Sequence, residues 1–302
     1  MRRIRNNFEL NAIIKLIFQN KSLEKQEIKK INLNKLIVIS SKHQIIPLLF
    51  VKLKQKKILK YFEKDFVQYI RKIYNINRER NLALLAEIDF LSNLFEKYSI
   101  DHVFIKGTAM LINNMYSDIG ERMIGDIDFL FDAKDIKKLN EVLLKSNYFP
   151  IEYEYYDYNH RHLPRLVNKN KLFAIEAHTK IINKPNKLIS TKNIISERSK
   201  IKSKYIPSID VILINNILNI QLNDFCNLSL NFSLKNIYDS ILCDKKIINL
   251  NKIRGSIFSN YFYMLSKIKV ETKNRFNKKV NLLFKIRFHL KYFNKFSFVF
   301  DK

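Results

Sequence analysis

From Ile58 to Phe95 the apolar residues Phe62, Phe66, Ile70, Ile73, Leu84, Ile88, Leu91 and Phe95 recur at helical spacing, with no glycine or proline between them. This period predicts a long amphipathic helix. Shorter helices are predicted over 8–19, 33–41 and 46–55, where Pro47 suits a first helical turn. Residues 1–100 thus read as a helical region.

At Asp101 the pattern changes. His102 to Ile105 is a short strand candidate, followed by a Lys106-Gly107-Thr108 turn. Thr108 can cap a helix to about Met115. Gly120 opens a loop, and Ile124 to Phe131 is a second strand candidate. Asp132 can cap a helix over 134–146, with Asp135 placed as in a capping box. Leu172 to Thr179 is a third strand candidate. Strand–helix–strand–helix–strand is a compact α/β unit over 101–182. Pro185 and its Asn/Lys/Ser neighbours mark a boundary. Beyond it, 209–221, 233–243 and 256–268 read as helices, while Val280 to Phe300 fits helix and strand periods equally. The chain divides into a helical region 1–100, a core 101–182 and a basic, mainly helical region 183–302. Only 4 Gly and 5 Pro among 302 residues agree with long helices rather than a many-turned β fold.

Charge sharpens this division. The net charge is +27, from 55 Lys/Arg against 28 Asp/Glu. Residues 1–100 hold 21 basic and 9 acidic residues, 101–182 hold 11 and 12, and 183–302 hold 23 and 7. A near-neutral centre is flanked by basic segments, which attract polyanions such as RNA, DNA, nucleotides or an anionic membrane surface. The alternative is a solvated surface rich in Lys, Asn and Ile through coding bias. Cys226 and Cys243 form no CxxC pair, so neither a disulfide framework nor a zinc motif is expected. The opening MRRIRNN is followed by a stretch broken by Glu9 and Lys15, unlike a signal peptide. No run approaches 18 uncharged apolar residues. A cytoplasmic protein is the expectation.

The candidate chemistry lies in Gly125-Asp126-Ile127-Asp128-Phe129-Leu130. Side chains alternate faces along a strand, so Asp126 and Asp128 project together while Ile127 and Phe129 face a core. Two such carboxylates can share a divalent cation. In Phe173-Ala174-Ile175-Glu176-Ala177-His178 the same alternation sends Glu176 and His178 to one face. If this strand pairs with the Asp126/Asp128 strand, three carboxylates meet. Asp126, Asp128 and Glu176 then suit a two-metal site for in-line displacement at a phosphorus. Gly107 and Thr108 open a helix whose free N–H groups favour an anion. Several side chains admit two readings. Lys106 reaches a triphosphate or stays solvated. Arg122 grips phosphate or pairs with Glu121 or Asp126. His178 orients a metal ligand or packs behind its strand. Tyr148, Tyr153, Tyr155, Tyr156 and Tyr158 stack a base or pack on an edge. The basic C-terminal run grips RNA, lies on lipid, or is a solvated face.

The stretch VFIKGTAMLINNMYSDIGERMIGDIDFLF resembles the signature of the uncharacterised bacterial nucleotidyltransferase family, within the DNA polymerase β-like superfamily. That signature is Leu-Lys-Gly, a tyrosine, then Arg-x-x-x-Asp-x-Asp. Lys106-Gly107, Tyr116, Arg122, Asp126 and Asp128 match it, and AIEAH places Glu176 and His178 on its later strand. HQIIPLLF around His43 and Pro47, and LKNIYDSIL around Asp239, resemble its flanking helices. Gly-Thr replaces the usual Gly-Gly or Gly-Ser turn, and Asn219 stands where a histidine is expected. The resemblance implies an α+β fold, a small mixed nucleotidyltransferase-type sheet flanked by helical regions. It implies Asp126, Asp128 and Glu176 as metal-binding catalytic residues, Lys106, Gly107, Thr108 and Arg122 toward the nucleotide, and His178 behind them. Mg²⁺ or Mn²⁺, in two ions, is the expected cofactor. The expected activity moves a nucleoside monophosphate from an NTP to an acceptor hydroxyl, with RNA or another polyanion as one acceptor class. The competing expectation is a nucleotide- or RNA-binding protein without turnover. A glycosyltransferase using Asp-x-Asp would need an α/β domain before the motif, and residues 1–100 read as helical instead.

Overall fold

The computed structural model describes residues 7–20, 23–151, 160–183, 189–246, 256–268, 270 and 280–292. The helices α1 (Phe8–Phe18), α2 (Lys25–Lys29), α3 (Leu33–Lys42) and α4 (Ile46–Gln55) come first, then a 3-10 turn at Leu59–Tyr61 and the long helix α5 (Lys64–Lys97). Strand β1 (His102–Phe104), helix α6 (Lys106–Ile112), strand β2 (Asp126–Phe131) and helix α7 (Ile136–Lys145) follow. Next come strands β3 (Phe149–Pro150), β4 (Leu166–Val167) and β5 (Ala174–His178), helix α8 (Thr191–Ser196), and the hairpin β6 (Ser199–Ile201) with β7 (Lys204–Ile206). The chain closes with α9 (Ile209–Leu218), a π turn at Asn219–Asn223, α10 (Cys226–Ser229), α11 (Leu234–Lys246), α12 (Ser256–Lys267) and α13 (Leu282–Tyr292). The mixed α+β class expected from the sequence is observed. No helix among the described residues is long and apolar enough to cross a membrane.

Two compact units emerge. The second comprises Arg78–Ile119 and Met123–Asn219 and carries the sheet. Its order is β1-β2-β5-β4-β3, with β2 and β5 parallel and the other pairs antiparallel. Parallel pairing between β2 and β5 needs a crossover, which α7 and the short strands supply. Alternation fixes the two faces. His102, Phe104, Ile127, Phe129, Phe131, Ile175 and Ala177 lie on one face and are fully buried. Phe95 of α5 packs there, its ring centroid 4.8 Å from Phe129 and 5.0 Å from His102. Leu84, Ile88, Leu91 and Phe95, the predicted apolar stripe, are all buried. The opposite face presents Asp126, Asp128, Glu176 and His178, and α6 covers β2.

The first unit comprises Met1–Asn77, Gly120–Arg122 and residues from Ile220 onward. Within it α1 packs on α3 and α4 through Ile13, Leu16, Leu36 and Leu49. His43 stacks on Phe232 and accepts from the Leu234 N–H at 3.5 Å. Asn77 donates to the carbonyls of Gly120 and Arg122 at 2.8 and 3.0 Å, and Tyr238 donates to Glu121 at 2.9 Å.

Several boundaries differ from the predicted ones for local reasons. Asp132 accepts from the Lys134 N–H, two residues on rather than three. That short turn produces a 3-10 segment at Ala133–Asp135, and α7 begins only at Ile136. α9 ends at Leu218 and passes into the π turn instead of running to 221. Strands β3, β4, β6 and β7 are two or three residues long, below the window in which a period of two can be read. The ambiguous Val280–Phe300 stretch is helical from Leu282 to Tyr292, and its last residues lie outside those described. Tyr148 is fully buried and donates to Glu87 at 2.8 Å, whereas Tyr153, Tyr155, Tyr156 and Tyr158 lie outside the described residues, as does Pro185.

His102 supplies a pH test of this core. Burial pushes its pKa down to about 4 from an unperturbed 6.5, with the Ile100 carbonyl 3.0 Å from Nδ1 opposing the shift. The native state therefore keeps the ring neutral, while the unfolded chain binds a proton below pH 6.5. Stability is full above that pH and falls as pH drops toward 4, by about 3 kcal/mol at this residue. Urea unfolding at pH 7, 5.5 and 4 is expected to show this fall. His102→Phe is expected to remove about half of it, leaving the comparable slope from His43, whose pKa burial likewise lowers to about 4.

Candidate active site

The site grows from the β2–β5 register. Asp128 lies opposite Glu176, Asp126 opposite Ala174 and Leu130 opposite His178. Because the strands run parallel, residues 126 and 128 share a face with 176 and 178. Asp128, Glu176 and His178 each offer a ligand atom within 4.8 Å of the others. Of the three predicted carboxylates, Asp128 and Glu176 belong to this cluster. Asp126 projects from the same face, where its carboxylate pairs with Arg165. Sequence reasoning passed over Arg165, since a lone basic residue just before a two-residue strand carries no pattern.

Lys106 reaches into the cluster. Its Nζ lies 2.5 Å from Asp128 Oδ1, 3.5 Å from Glu176 Oε2 and 3.3 Å from His178 Nε2. The backbone aims it there. The Ile105 N–H donates to the Asp128 carbonyl at 3.0 Å, which extends β1 pairing to the turn. Lys106, the first residue of α6, takes a left-handed φ of 54°. A non-glycine residue in that region costs on the order of 1 kcal/mol, and such strain persists only where surroundings over-determine it.

Thr108 acts locally. It is fully buried, and its Oγ1 accepts from the Asp128 N–H at 3.3 Å and donates to the Asp126 carbonyl at 3.5 Å. The hydroxyl thereby ties α6 to the strand carrying both aspartates. Gly107 is buried beside it. Arg122, predicted near the phosphates, forms an ion pair with Asp239. Its Nε lies 2.9 and 3.1 Å from the two carboxylate oxygens, and Nη2 lies 2.8 Å from Oδ2. Both residues belong to the first unit.

The local field is set by these contacts. His178 is fully buried, and its Nε2 donates to Asp128 at 2.9 Å, since an ionised carboxylate only accepts. Its Nδ1 has no hydrogen-bond partner among the described residues. The His178 ring, whose Nε2 lies 3.6 Å from Glu176 Oε2, holds the Glu176 carboxyl well below the usual range, with help from Lys106 and against the effect of burial. Asp126 goes the other way. Burial raises its pKa, Arg165 opposes that shift, and the neighbouring charges of Glu176 and Asp128 add to it. Burial also lowers the pKa of His162, whose ring centroid lies 5.2 Å from that of His178. Oxygen donors from two carboxylates, backed by a histidine, suit a hard divalent cation.

Residues 29–239 match the family described as "Uncharacterised nucleotidyltransferase". The chain belongs to that family. The matched region contains the candidate site residues, from Lys106 to His178, and ends at Asp239, the partner of Arg122. No curated protein matches the sequence. A solved structure of the antibiotic-resistance factor ANT(2'')-Ia is similar with a TM-score of 0.39 at 8% identity, over 62% of this chain and 95% of that one.

The Thr108 clamp can be tested through stability. Thr108→Val keeps the shape and leaves the Asp128 N–H and Asp126 carbonyl without the hydroxyl, at a cost of about 1–2 kcal/mol. Equilibrium urea unfolding of this nucleotidyltransferase is expected to show a lower midpoint with an unchanged slope. Thr108→Ser is expected to recover most of the loss.

Proposed function

We propose that this chain is a metal-dependent nucleotidyltransferase that moves a nucleoside monophosphate from an NTP to an acceptor hydroxyl. The observation that supports this is the convergence of Asp128 and Glu176 on one face of the parallel β2–β5 pair, within the region matched by the family. Asp128 and Glu176 are the principal metal ligands, Asp126 is the third carboxylate, and Mg²⁺ or Mn²⁺, in two ions, is the proposed cofactor. When bound, such cations stabilise charge on the attacking and leaving oxygens of an in-line displacement.

The chain's own groups do the positioning. Thr108 holds β2 against α6 so that both aspartates face the substrate. His178 donates to Asp128 and fixes the orientation of that carboxylate. The backbone N–H groups of Gly107 and Thr108, which open a helix, receive a phosphate oxygen, and Lys106 supplies a cation beside it. The acceptor oxygen attacks the α-phosphorus, the bond from that phosphorus to the bridging oxygen breaks, and pyrophosphate leaves. The acceptor's proton passes to a carboxylate of the same face. We assign this chemistry to residues 101–182. The basic excess of residues 1–100 and 183–302 supports a polyanionic acceptor such as RNA.

A second reading is a nucleotide- or RNA-binding protein without turnover. The Lys106–Asp128 and Arg165–Asp126 ion pairs favour it, since a protein that never loads metal would keep its carboxylates neutralised in this way. One experiment separates the two readings. Purified protein is incubated with each labelled NTP, Mg²⁺ and cell extract, and modified acceptors are identified by mass spectrometry. Transfer is expected from the parent and is expected to fall at least about a hundredfold in Asp128→Asn and in Glu176→Gln, the range typical when an electrostatic stabiliser is removed. Equal labelling by parent and variants would end the enzymatic reading. Salt-sensitive RNA binding by all three, with no transfer, would establish the second.

A further inference from the structure

The atoms a cation would contact are already contacted by one. Lys106 Nζ lies within 3.5 Å of a polar atom of Asp128, Glu176 and His178, the same three residues that form the candidate metal cluster. We propose that Lys106 is a built-in counter-cation that holds the metal position in the free protein and must leave it for a divalent ion to enter. Metal loading is then an exchange of one cation for another. This inference rests on reading the cluster as a metal site.

Three physical arguments carry it. Asp128 and Glu176 face each other across the strand pair in a partly buried setting, where two unneutralised carboxylates repel strongly. The ammonium removes that repulsion, so the free fold does not depend on metal. Second, an ammonium and a divalent ion cannot both sit about 3 Å from the same carboxylate oxygens, because their mutual repulsion there is large at any protein dielectric. Third, the lysine is built to move. Its backbone is held in a left-handed conformation at the mouth of α6, while its charge rides on a flexible four-carbon stem. The displaced ammonium needs a new anionic partner, and the triphosphate beside α6 supplies one. The site therefore favours loading a metal–triphosphate complex over free metal.

The test measures metal binding rather than turnover. Mn²⁺ is titrated without nucleotide into the parent, Lys106→Met, Lys106→Arg and Asp128→Asn, with free Mn²⁺ read by electron paramagnetic resonance. Lys106→Met is expected to bind Mn²⁺ about tenfold more tightly than the parent, as befits removal of one partly screened competing charge. It is also expected to melt lower in metal-free buffer and to recover with Mn²⁺. Lys106→Arg, which keeps the charge, is expected to show no gain in affinity. Acetic anhydride labelling of the parent, read by mass spectrometry, supplies an arm that needs no variant to fold, and Mn²⁺ is expected to increase modification of Lys106. Equal or weaker Mn²⁺ binding by Lys106→Met, or unchanged Lys106 labelling on adding Mn²⁺, overturns the exchange. If Asp128→Asn still loses Mn²⁺ binding in that case, the metal-site reading survives alone. If neither the parent nor Lys106→Met binds Mn²⁺, both fall.

Discussion

Asp128 and Glu176 meet because β2 and β5 run parallel in a register that places them as direct partners. Everything else about the site answers to that pairing. The same register buries Ile127, Phe129, Ile175 and Ala177 on the opposite face, so a slip of one residue would turn carboxylates into the core and apolar side chains onto the carboxylate face. Apolar burial behind the sheet therefore holds two like charges together in front of it. Their repulsion is offset by the groups around them. Lys106 reaches both, His178 donates to Asp128, and Arg165 engages Asp126.

The sheet face and its helical cover were largely readable from the sequence. Alternation across Asp126–Phe131 and Ala174–His178 gave both strands and the face of each acidic residue. The helical period over Ile58–Phe95 predicts the long helix, though Leu59–Tyr61 at its start is a separate 3-10 segment. What escaped detection was either short or distant. β3, β4 and the β6–β7 hairpin are too brief to show a period. Arg165 meets Asp126 across 39 residues and Arg122 meets Asp239 across 117, and a single sequence carries no signal for such pairings.

Residue type was easier to read than residue role. Thr108 was expected to serve the phosphate, and its hydroxyl is engaged with the backbone of β2. The sequence predicts Lys106 as a phosphate ligand or a solvated strand end, and its ammonium lies among the carboxylates. Both outcomes have one cause. A polar atom in a partly buried site takes the nearest partner that offsets its desolvation, and without ligand that partner is the protein itself.

The division of the chain also bears on how it comes to be folded during synthesis. The sheet-bearing unit is nearly continuous, from Arg78 to Asn219 apart from Gly120–Arg122. The other unit draws on the first 77 residues, on that three-residue insertion and on everything from Ile220 onward. A ribosome working at roughly 5–20 residues per second delivers the first and last of those parts about 7–30 seconds apart. The early helices must therefore wait, with apolar faces uncovered, until α11 emerges and Tyr238 meets Phe18. The sheet can close on its own contacts in the interval. The carboxylate-bearing sheet face would be set before the helical unit is finished, and the exposed helices of that interim state are the part of the nascent chain most in need of a chaperone.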